Sequence, residues 1–234
     1  TVGMLARHAD GVIATNLEDQ DQLTNQMNVP TSKVRVIPIG SNIDPCPPAD
    51  FAPLRWRQKH DIADDDLLLG FFGFMNQSKG IETLLAALAS LTEGDMPVKL
   101  IFIGGRTGSS DPTNAAYAEK IDGQIAELGL SDLIRTTGFT EASEVSAALL
   151  SVDLCVLPYR EGASLRHGTL HAALKHGTPI ITTRPRISIP QLRHRENCFL
   201  IPPDSPKALR EAVLTLAAQP KQRQALGRGA EALA

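Results

Sequence analysis

The sequence has few cysteines, few aromatics, no excess of positive charge and no long apolar run. Cys46, Cys155 and Cys198 are odd in number, far apart and without paired spacing. That excludes a disulfide framework and a zinc knuckle, so reduced thiols and a cytoplasmic address are expected. Lys and Arg number 23 against 26 Asp and Glu, and a formal charge of -3 provides no basic field for a nucleic-acid backbone. Nucleic acid is therefore not an expected partner. No stretch of eighteen apolar residues is present to span a bilayer. Also missing are a charged segment followed by an apolar signal core, and an initiator methionine, since the first residue is Thr1. A chain trimmed at its start is the expectation. Aromatics amount to 4%, yet 42% hydrophobic content across 234 residues still leaves a sizeable core, enough for one large or two small domains.

Chemical signatures are missing as well. A Gly-x-Ser-x-Gly elbow is absent, because Gly162-Ala-Ser164 runs on into Leu165-Arg166, which weakens a serine-hydrolase reading. The Gly-x-Gly-x-x-Gly dinucleotide fingerprint follows none of the predicted strands, which disfavours nicotinamide chemistry. His167 and His171 are four apart with no intervening Glu, and a metal site would need a third converging ligand.

What is present is a regular alternation. Apolar runs at 67–72, 98–103, 133–137, 154–157, 179–182 and 199–201 have the length and composition of buried parallel strands. Between them, Ile81, Leu84, Leu85, Leu88 and Leu91 repeat at helical spacing, as do Tyr117, Ile121, Ile125 and Leu128. Asp111 before Pro112 and Ser205 before Pro206 predict helix starts with proline in the first turn. Six strands separated by helices predict an α/β, doubly wound, Rossmann-like parallel sheet with ligands at the strands' carboxyl ends. Upstream, 11–15, 16–27 and 34–39 read as strand, amphipathic helix and strand. The stretch 41–66 follows as a linker with a short helix, because its prolines at 45, 47 and 48 withhold backbone donors.

Three strand-end loops carry polar chemistry. The stretch Glu161-Gly-Ala-Ser-Leu-Arg-His-Gly-Thr169 combines glycines, hydroxyls, a carboxylate and a guanidinium. A helix starting near Ser164 would aim its amides, its dipole and Arg166 at one spot, which suits a diphosphate. An ordinary strand-to-helix turn is the competing reading. Gly73-Phe-Met-Asn-Gln-Ser-Lys-Gly80 places Lys79 at the mouth of the next helix, either as a phosphate cation or as a solvated helix-start lysine. Thr136-Thr-Gly-Phe-Thr140 is either a site loop or a plain turn. The loops at 73–80, 136–140 and 161–169 are expected to converge on one cleft. Gly104 to Asp111, rich in small residues, reads as a flexible loop.

Taken in order, the Lys79-Gly80 turn, the Gly104-Gly105 strand end, Thr137-Gly-Phe139, Leu157-Pro-Tyr-Arg-Glu-Gly162 and Gly177-Thr-Pro-Ile-Ile181 resemble the donor-binding half of retaining GT-B glycosyltransferases, nearest to glycosyltransferase family 4. The resemblance extends from about Gly11 to Gly227. It implies that 1–40 is the remnant of an N-terminal acceptor domain with the interdomain passage, that 67–217 is the nucleotide-sugar-binding domain, and that 218–234 is a truncated C-terminal helix. It implies a nucleotide sugar as partner, with membrane contact only through the missing acceptor domain. It also implies Glu161 facing the transferred sugar, Lys79 on the donor diphosphate, and Gly138 and Phe139 near the base. Gly73, Ser164, Arg166, Gly168 and Thr169 complete the expected diphosphate site. Phe74 replaces the family's usual arginine, and Thr169, or Ala172 when counted back from Gly177, stands where a second glutamate belongs. The implied reaction is retaining hexosyl transfer from a nucleotide diphosphate to an acceptor hydroxyl, with no cofactor or metal and little activity in the isolated chain. A non-catalytic domain with an eroded donor site, and a nucleotide-sugar epimerase, are the alternatives.

Overall fold

In the computed structural model, which describes residues 2–94, 96–106 and 112–234, the alternating pattern folds into two sheets of unequal size. The elements run α1 (Val2–His8), β1 (Val12–Ala14), α2 (Leu17–Asp21), β2 (Val34–Val36), α3 (Pro53–Lys59), β3 (Leu67–Phe72), α4 (Ile81–Thr92), β4 (Val98–Ile103), α5 (Pro112–Glu127), β5 (Ile134–Gly138), α6 (Ala142–Ser151), β6 (Leu154–Leu157), α7 (Gly168–Lys175), β7 (Ile180–Thr183), β8 (Phe199–Ile201), α8 (Pro206–Ala217) and α9 (Pro220–Glu231). Strands β3 to β8 form one parallel sheet in the order β5-β4-β3-β6-β7-β8. Each of the six apolar runs is one of these strands. Counted within the sheet the order is 3-2-1-4-5-6, and the winding reverses between β3 and β6, where such sheets hold ligands.

Both faces are covered. Leu84, Leu85 and Leu88 of α4, Ile121 of α5 and Leu209, Val213 and Leu216 of α8 bury against Leu69, Phe71, Leu100 and Phe102. The opposite face packs Trp56 of α3, Val145 and Leu149 of α6 and Leu170 and Leu174 of α7 against Leu68, Ile101, Cys155 and Ile180. Helix starts follow their sequence signals where those can be read. Ser205 Oγ accepts from the Ala208 amide at 3.3 Å, with Pro206 in the first turn. Asp111 lies outside the described residues.

The stretch 41–66 is more than a connector. In α3, Trp56 Nε1 donates to Glu144 Oε1 at 2.7 Å. The buried Arg57 guanidinium donates to the Ser151 carbonyl at 2.9 and 2.7 Å and pairs with Asp153 at 2.8 Å. Asp153 in turn accepts from the Leu68 amide at 2.9 Å, so α3 is tied to the start of the central strands β3 and β6. A composition reading sees the prolines and misses this anchor.

Residues 2–40 form a small unit of their own. β1 and β2 pair in parallel, Val12 opposite Val34, over a cluster of Ala6, Ala14, Val29 and Val34. The helix expected over 16–27 is interrupted: α2 passes into a π-helical turn at Gln22–Gln26, where the Met27 amide reaches back five residues to the Gln22 carbonyl. Ile13 is 67% exposed, whereas Val12 and Leu23 pack against the cluster. Cys155 and Cys198 are buried free thiols whose pKa is pushed up to about 12 by desolvation, and Cys46 is a free thiol at the surface. Among the described residues no helix is long and apolar enough to cross a membrane.

Candidate active site

The site is built where β3 and β6 end. Gly73 leaves β3 with φ +134°, a conformation glycine adopts without strain, and its amide donates to the Ile103 carbonyl at 3.2 Å. Asn76 then caps a 3₁₀ turn over Gln77–Lys79, its Oδ1 accepting from the Ser78 amide at 3.1 Å and the Ser78 hydroxyl at 2.6 Å. Gly80 follows at φ +68°, and a Cβ there would stand 2.0 Å from the Pro158 carbonyl oxygen. The Arg160 amide donates to the Ser78 carbonyl at 3.0 Å. The loops at 73–80 and 158–169 are therefore locked together through backbone contacts.

Lys79 is the cation of this junction. It is half-buried, with Nζ 5.0 Å from the centroid of the Tyr159 ring, and no carboxylate among the described residues pairs with it. Desolvation lowers its pKa from the ordinary lysine value. Tyr159 is fully buried, stacks on His167 at 3.8 Å between centroids, and shares a 2.7 Å hydroxyl hydrogen bond with Thr169. A Cβ on Gly73 would lie 3.2 Å from the Thr169 Cγ2, which brings the first turn of α7 against the end of β3.

α7 begins at Gly168, not near Ser164 as the sequence suggests. Ser164 to His167 instead form a tight turn, with the His167 amide bonded to the Ser164 carbonyl at 3.0 Å and the Arg166 amide to Ser164 Oγ at 3.3 Å. Local side-chain and turn bonds compete here with helix propagation. The helix-end amides are consequently those of Gly168 and Thr169, whose positions lie too early in the helix for an intrahelical acceptor.

His167 is held near pKa 4, first by burial and then by the charges of Lys79, Arg166 and His171, so it is neutral at neutral pH. Its Nδ1 faces the Ser164 amide at 3.3 Å and accepts from it, which leaves the proton on Nε2. His171 bonds the Leu165 carbonyl at 2.8 Å, and the buried His176 bonds the Ala172 carbonyl and the Ser146 hydroxyl. No group of three metal-ligating side chains converges among the described residues.

Arg166 turns toward the N-terminal unit. Its guanidinium lies 3.3 Å from Asp19 and 3.8 Å from Glu18, and Arg186 binds the same Glu18 at 2.8 Å. Asp19 is positioned by its own helix start, where Asn16 Oδ1 accepts from the Asp19 amide and Asn16 Nδ2 donates to the Asp19 carboxylate, both at 2.8 Å. Glu18, Arg166 and Arg186 rim a cavity of about 190 Å³ that is also lined by Glu161, Ser164 and His167. Glu161 is exposed and lines a second, polar opening with Asn76, Ser78 and Arg160 on its other side. Farther along the strand ends, Gly138 sits at φ +68° in a bridge to Gly104, and Phe139 is 86% exposed.

The expected site residues thus fall into three groups. Gly73, Lys79, Gly168 and Thr169 meet at the β3–β6 junction; Glu161, Ser164 and Arg166 line the cavity toward the N-terminal unit; Gly138 and Phe139 lie two strands away. Sequence reasoning missed Tyr159 as the hub beneath Lys79, His167 and Thr169. A tyrosine two residues beyond a fully apolar strand, in a chain with two tyrosines, was the available signal. It also missed Glu18, Asp19 and Arg186, which no local pattern connects to Arg166.

Comparison with known proteins agrees with this architecture. The D-inositol 3-phosphate glycosyltransferase of Streptomyces bingchenggensis is 26% identical over 223 residues, covering 95% of this chain and 48% of that protein. The D-rhamnosyltransferase WbpZ of Pseudomonas aeruginosa is 28% identical over 202 residues, 86% of this chain and 48% of its own length. The chain spans about half the length of the curated relatives it matches. Among solved structures, sucrose-phosphate synthase from Thermosynechococcus elongatus superposes with a TM-score of 0.79 at 24% identity, over 99% of this chain and 55% of that one. Anabaena HepE, solved in complex with UDP and glucose, gives 0.82 at 22% identity over 99% and 60%. The sheet is thus that of a GT-B glycosyltransferase half. The family described as glycosyl transferases group 1 matches residues 54–233, which take in the whole six-stranded sheet and every loop at its site, and the chain belongs to that family.

Proposed function

We propose that this chain is the donor-binding half of a retaining glycosyltransferase, which takes a hexosyl group from a nucleotide diphosphate and delivers it to an acceptor hydroxyl. The observation that carries the reading is Lys79, a half-buried cation without a carboxylate partner among the described residues, beside Gly73 and the first turn of α7 at the sheet's reversal point. HepE, the structural neighbour solved with UDP and glucose, supports a nucleotide sugar as donor.

As the glycosidic bond breaks, positive charge grows on the sugar ring and negative charge on the departing diphosphate. Lys79 and the Gly168 and Thr169 amides stabilise that leaving group, as preorganised donors stabilise other developing anions. The reading needs no divalent cation, because positive charge is already supplied at the diphosphate. Glu161, exposed between two openings, orients the sugar hydroxyls. The acceptor comes from a facing domain, so the chain alone binds donor and turns it over poorly.

A specific observation favours the non-catalytic reading: Arg166 is occupied by Glu18 and Asp19, and position 169 offers a hydroxyl already bonded to Tyr159 where a carboxylate would hold ribose. Calorimetric titration with a panel of nucleoside diphosphates decides between them. Binding that Lys79→Ala abolishes or weakens supports the donor site, and no binding of any nucleoside diphosphate supports the eroded one. An epimerase would announce itself differently, by altering the nucleotide sugar with no acceptor present.

A further inference from the structure

The passage from the small sheet to the large one, residues 37–52, is held at its middle by two helices of the main sheet. The Cys46 amide donates to Ser146 Oγ of α6 at 2.9 Å, and Ser146 Oγ lies 3.0 Å from Nε2 of His176, which ends α7. Nδ1 of the same ring lies 2.8 Å from the Ala172 carbonyl. Ser146 and His176 are both buried, and Lys175 pairs with Asp44 two residues before Cys46. A carbonyl oxygen only accepts, so Nδ1 carries the ring proton and Nε2 is bare. The bonds therefore run one way: the Cys46 amide donates to the Ser146 oxygen, the Ser146 hydroxyl to His176 Nε2, and His176 Nδ1–H to the Ala172 carbonyl. Among the described residues the Ser146 hydroxyl has no other acceptor within reach.

We infer that Ser146 and His176 are positioning residues: neutral His176 holds the passage at Cys46 and so fixes the N-terminal unit, residues 2–40, against the sheet that carries the site, and a proton on Nε2 releases it. With both nitrogens protonated the ring has two donors and no acceptor. Nε2–H then turns on Ser146 Oγ in competition with the Cys46 amide, and the Ser146 hydroxyl proton is left buried without a partner. Cys46 is the member that yields, because it is exposed whereas Ser146 sits within α6 and His176 at the end of α7. The charges around the ring supply no substitute. Asp44 on the passage and Lys175 on the ring's own helix are paired with each other, Glu231 of α9 lies against Gly177, and Glu144 of α6 is engaged by Trp56. Burial lowers the pKa of His176 from the ordinary histidine value, against the opposing pull of the Ala172 carbonyl and Asp44, so the ring is neutral at neutral pH and gains its proton on acidification. The release reaches the site because residues 2–40 supply Glu18 and Asp19 to Arg166 and Arg186 and form one wall of the cavity at Glu161. None of this depends on which ligand the site takes.

The test is nuclear magnetic resonance of the chain in 0.5 M salt, which screens the surface pairs of Arg166 and Arg186. Three quantities are followed from pH 7.5 to 4.5: the His176 ring shift, the protection of the Cys46 amide against hydrogen exchange after correction for the intrinsic rate at each pH, and the amide residual dipolar couplings of residues 2–40 and of the sheet. Cys46 protection is expected to fall by on the order of tenfold with the His176 midpoint, the scale of one hydrogen bond. Couplings of residues 2–40, which share one alignment frame with the sheet at pH 7.5, should shrink at pH 4.5. Ser146→Ala should leave Cys46 unprotected at every pH while keeping α6, since alanine favours helix, and His176→Gln, neutral throughout, should abolish the pH step. Circular dichroism confirms that both variants fold. Four results overturn the inference: Cys46 protection that persists through the His176 titration, a His176 that stays neutral to pH 4.5, a step that survives in His176→Gln, or couplings that keep one frame after Cys46 is released.

Discussion

At the scale of single residues, charge and burial assign different duties to neighbours a few ångströms apart. In the proposed donor site Lys79 would meet a diphosphate and Glu161 would be repelled by one, so their losses should differ in kind. Lys79→Ala is expected to weaken nucleoside diphosphate binding by about 1–3 kcal/mol, the scale of a hydrogen bond to a charged group, while Glu161→Ala leaves it nearly unchanged. Titration calorimetry reads both. His167 gives a pH signature. Its folded pKa of about 4 lies below the unfolded value near 6.5, so between those limits the unfolded chain binds more protons and stability rises with pH. Wild type should lose up to roughly 3 kcal/mol on acidification through this one group, and His167→Gln should lose correspondingly less. Denaturant unfolding at pH 4.5 and 7 compares them, and the difference between the curves cancels His60, His176 and His194, which burial shifts in the same direction.

Elements were the most readable level, for physical reasons that also mark where reading fails. The strands β3, β4 and β6 read as apolar runs because both of their faces are covered, whereas the edge strand β5 (Ile134–Gly138) carries Arg135 and two threonines and is only partly buried; α4 shows its buried stripe because one face meets the sheet. The start of α7 was misplaced because Ser164 and Arg166 satisfy their backbone locally before the helix begins, a competition that apolar periodicity does not register. The site is only half legible. Lys79, Gly73 and Thr169 stand out as strand-end chemistry, yet Arg166 meets Asp19 across 147 positions of sequence, and nothing local at either residue encodes the pairing. Helix propensity itself can be checked cleanly at Gly123 of α5, exposed and with open space where a Cβ would go. Gly123→Ala should raise stability by about 0.8–1 kcal/mol in thermal unfolding.

On the scale of the whole molecule, the N-terminal unit and the sheet's site loops share one charge network: Glu18 and Asp19 against Arg166 and Arg186. A diphosphate that recruits Arg166 must draw it from these carboxylates. Replacing Glu18→Gln and Asp19→Asn together should therefore tighten nucleoside diphosphate binding several-fold at low salt and much less at 1 M salt, where screening has already loosened the network. Unchanged affinity in titrations at both salt concentrations would make Arg166 a tie between units and nothing more. The backbone clearances have a consequence of another kind, in which substitutions the chain can accept. A Cβ at Gly80 would meet the Pro158 carbonyl oxygen at 2.0 Å, one at Gly162 the Arg184 oxygen at 2.5 Å, and one at Gly229 the Glu196 oxygen at 2.0 Å. In a library of every single substitution, sorted first for cellular abundance and then for nucleotide capture, these three positions should be emptied at the first sort. Phe139 and Lys79 should pass it with broad diversity and be narrowed only by the second, so that inheritance of the fold and inheritance of the ligand would be written at separate addresses.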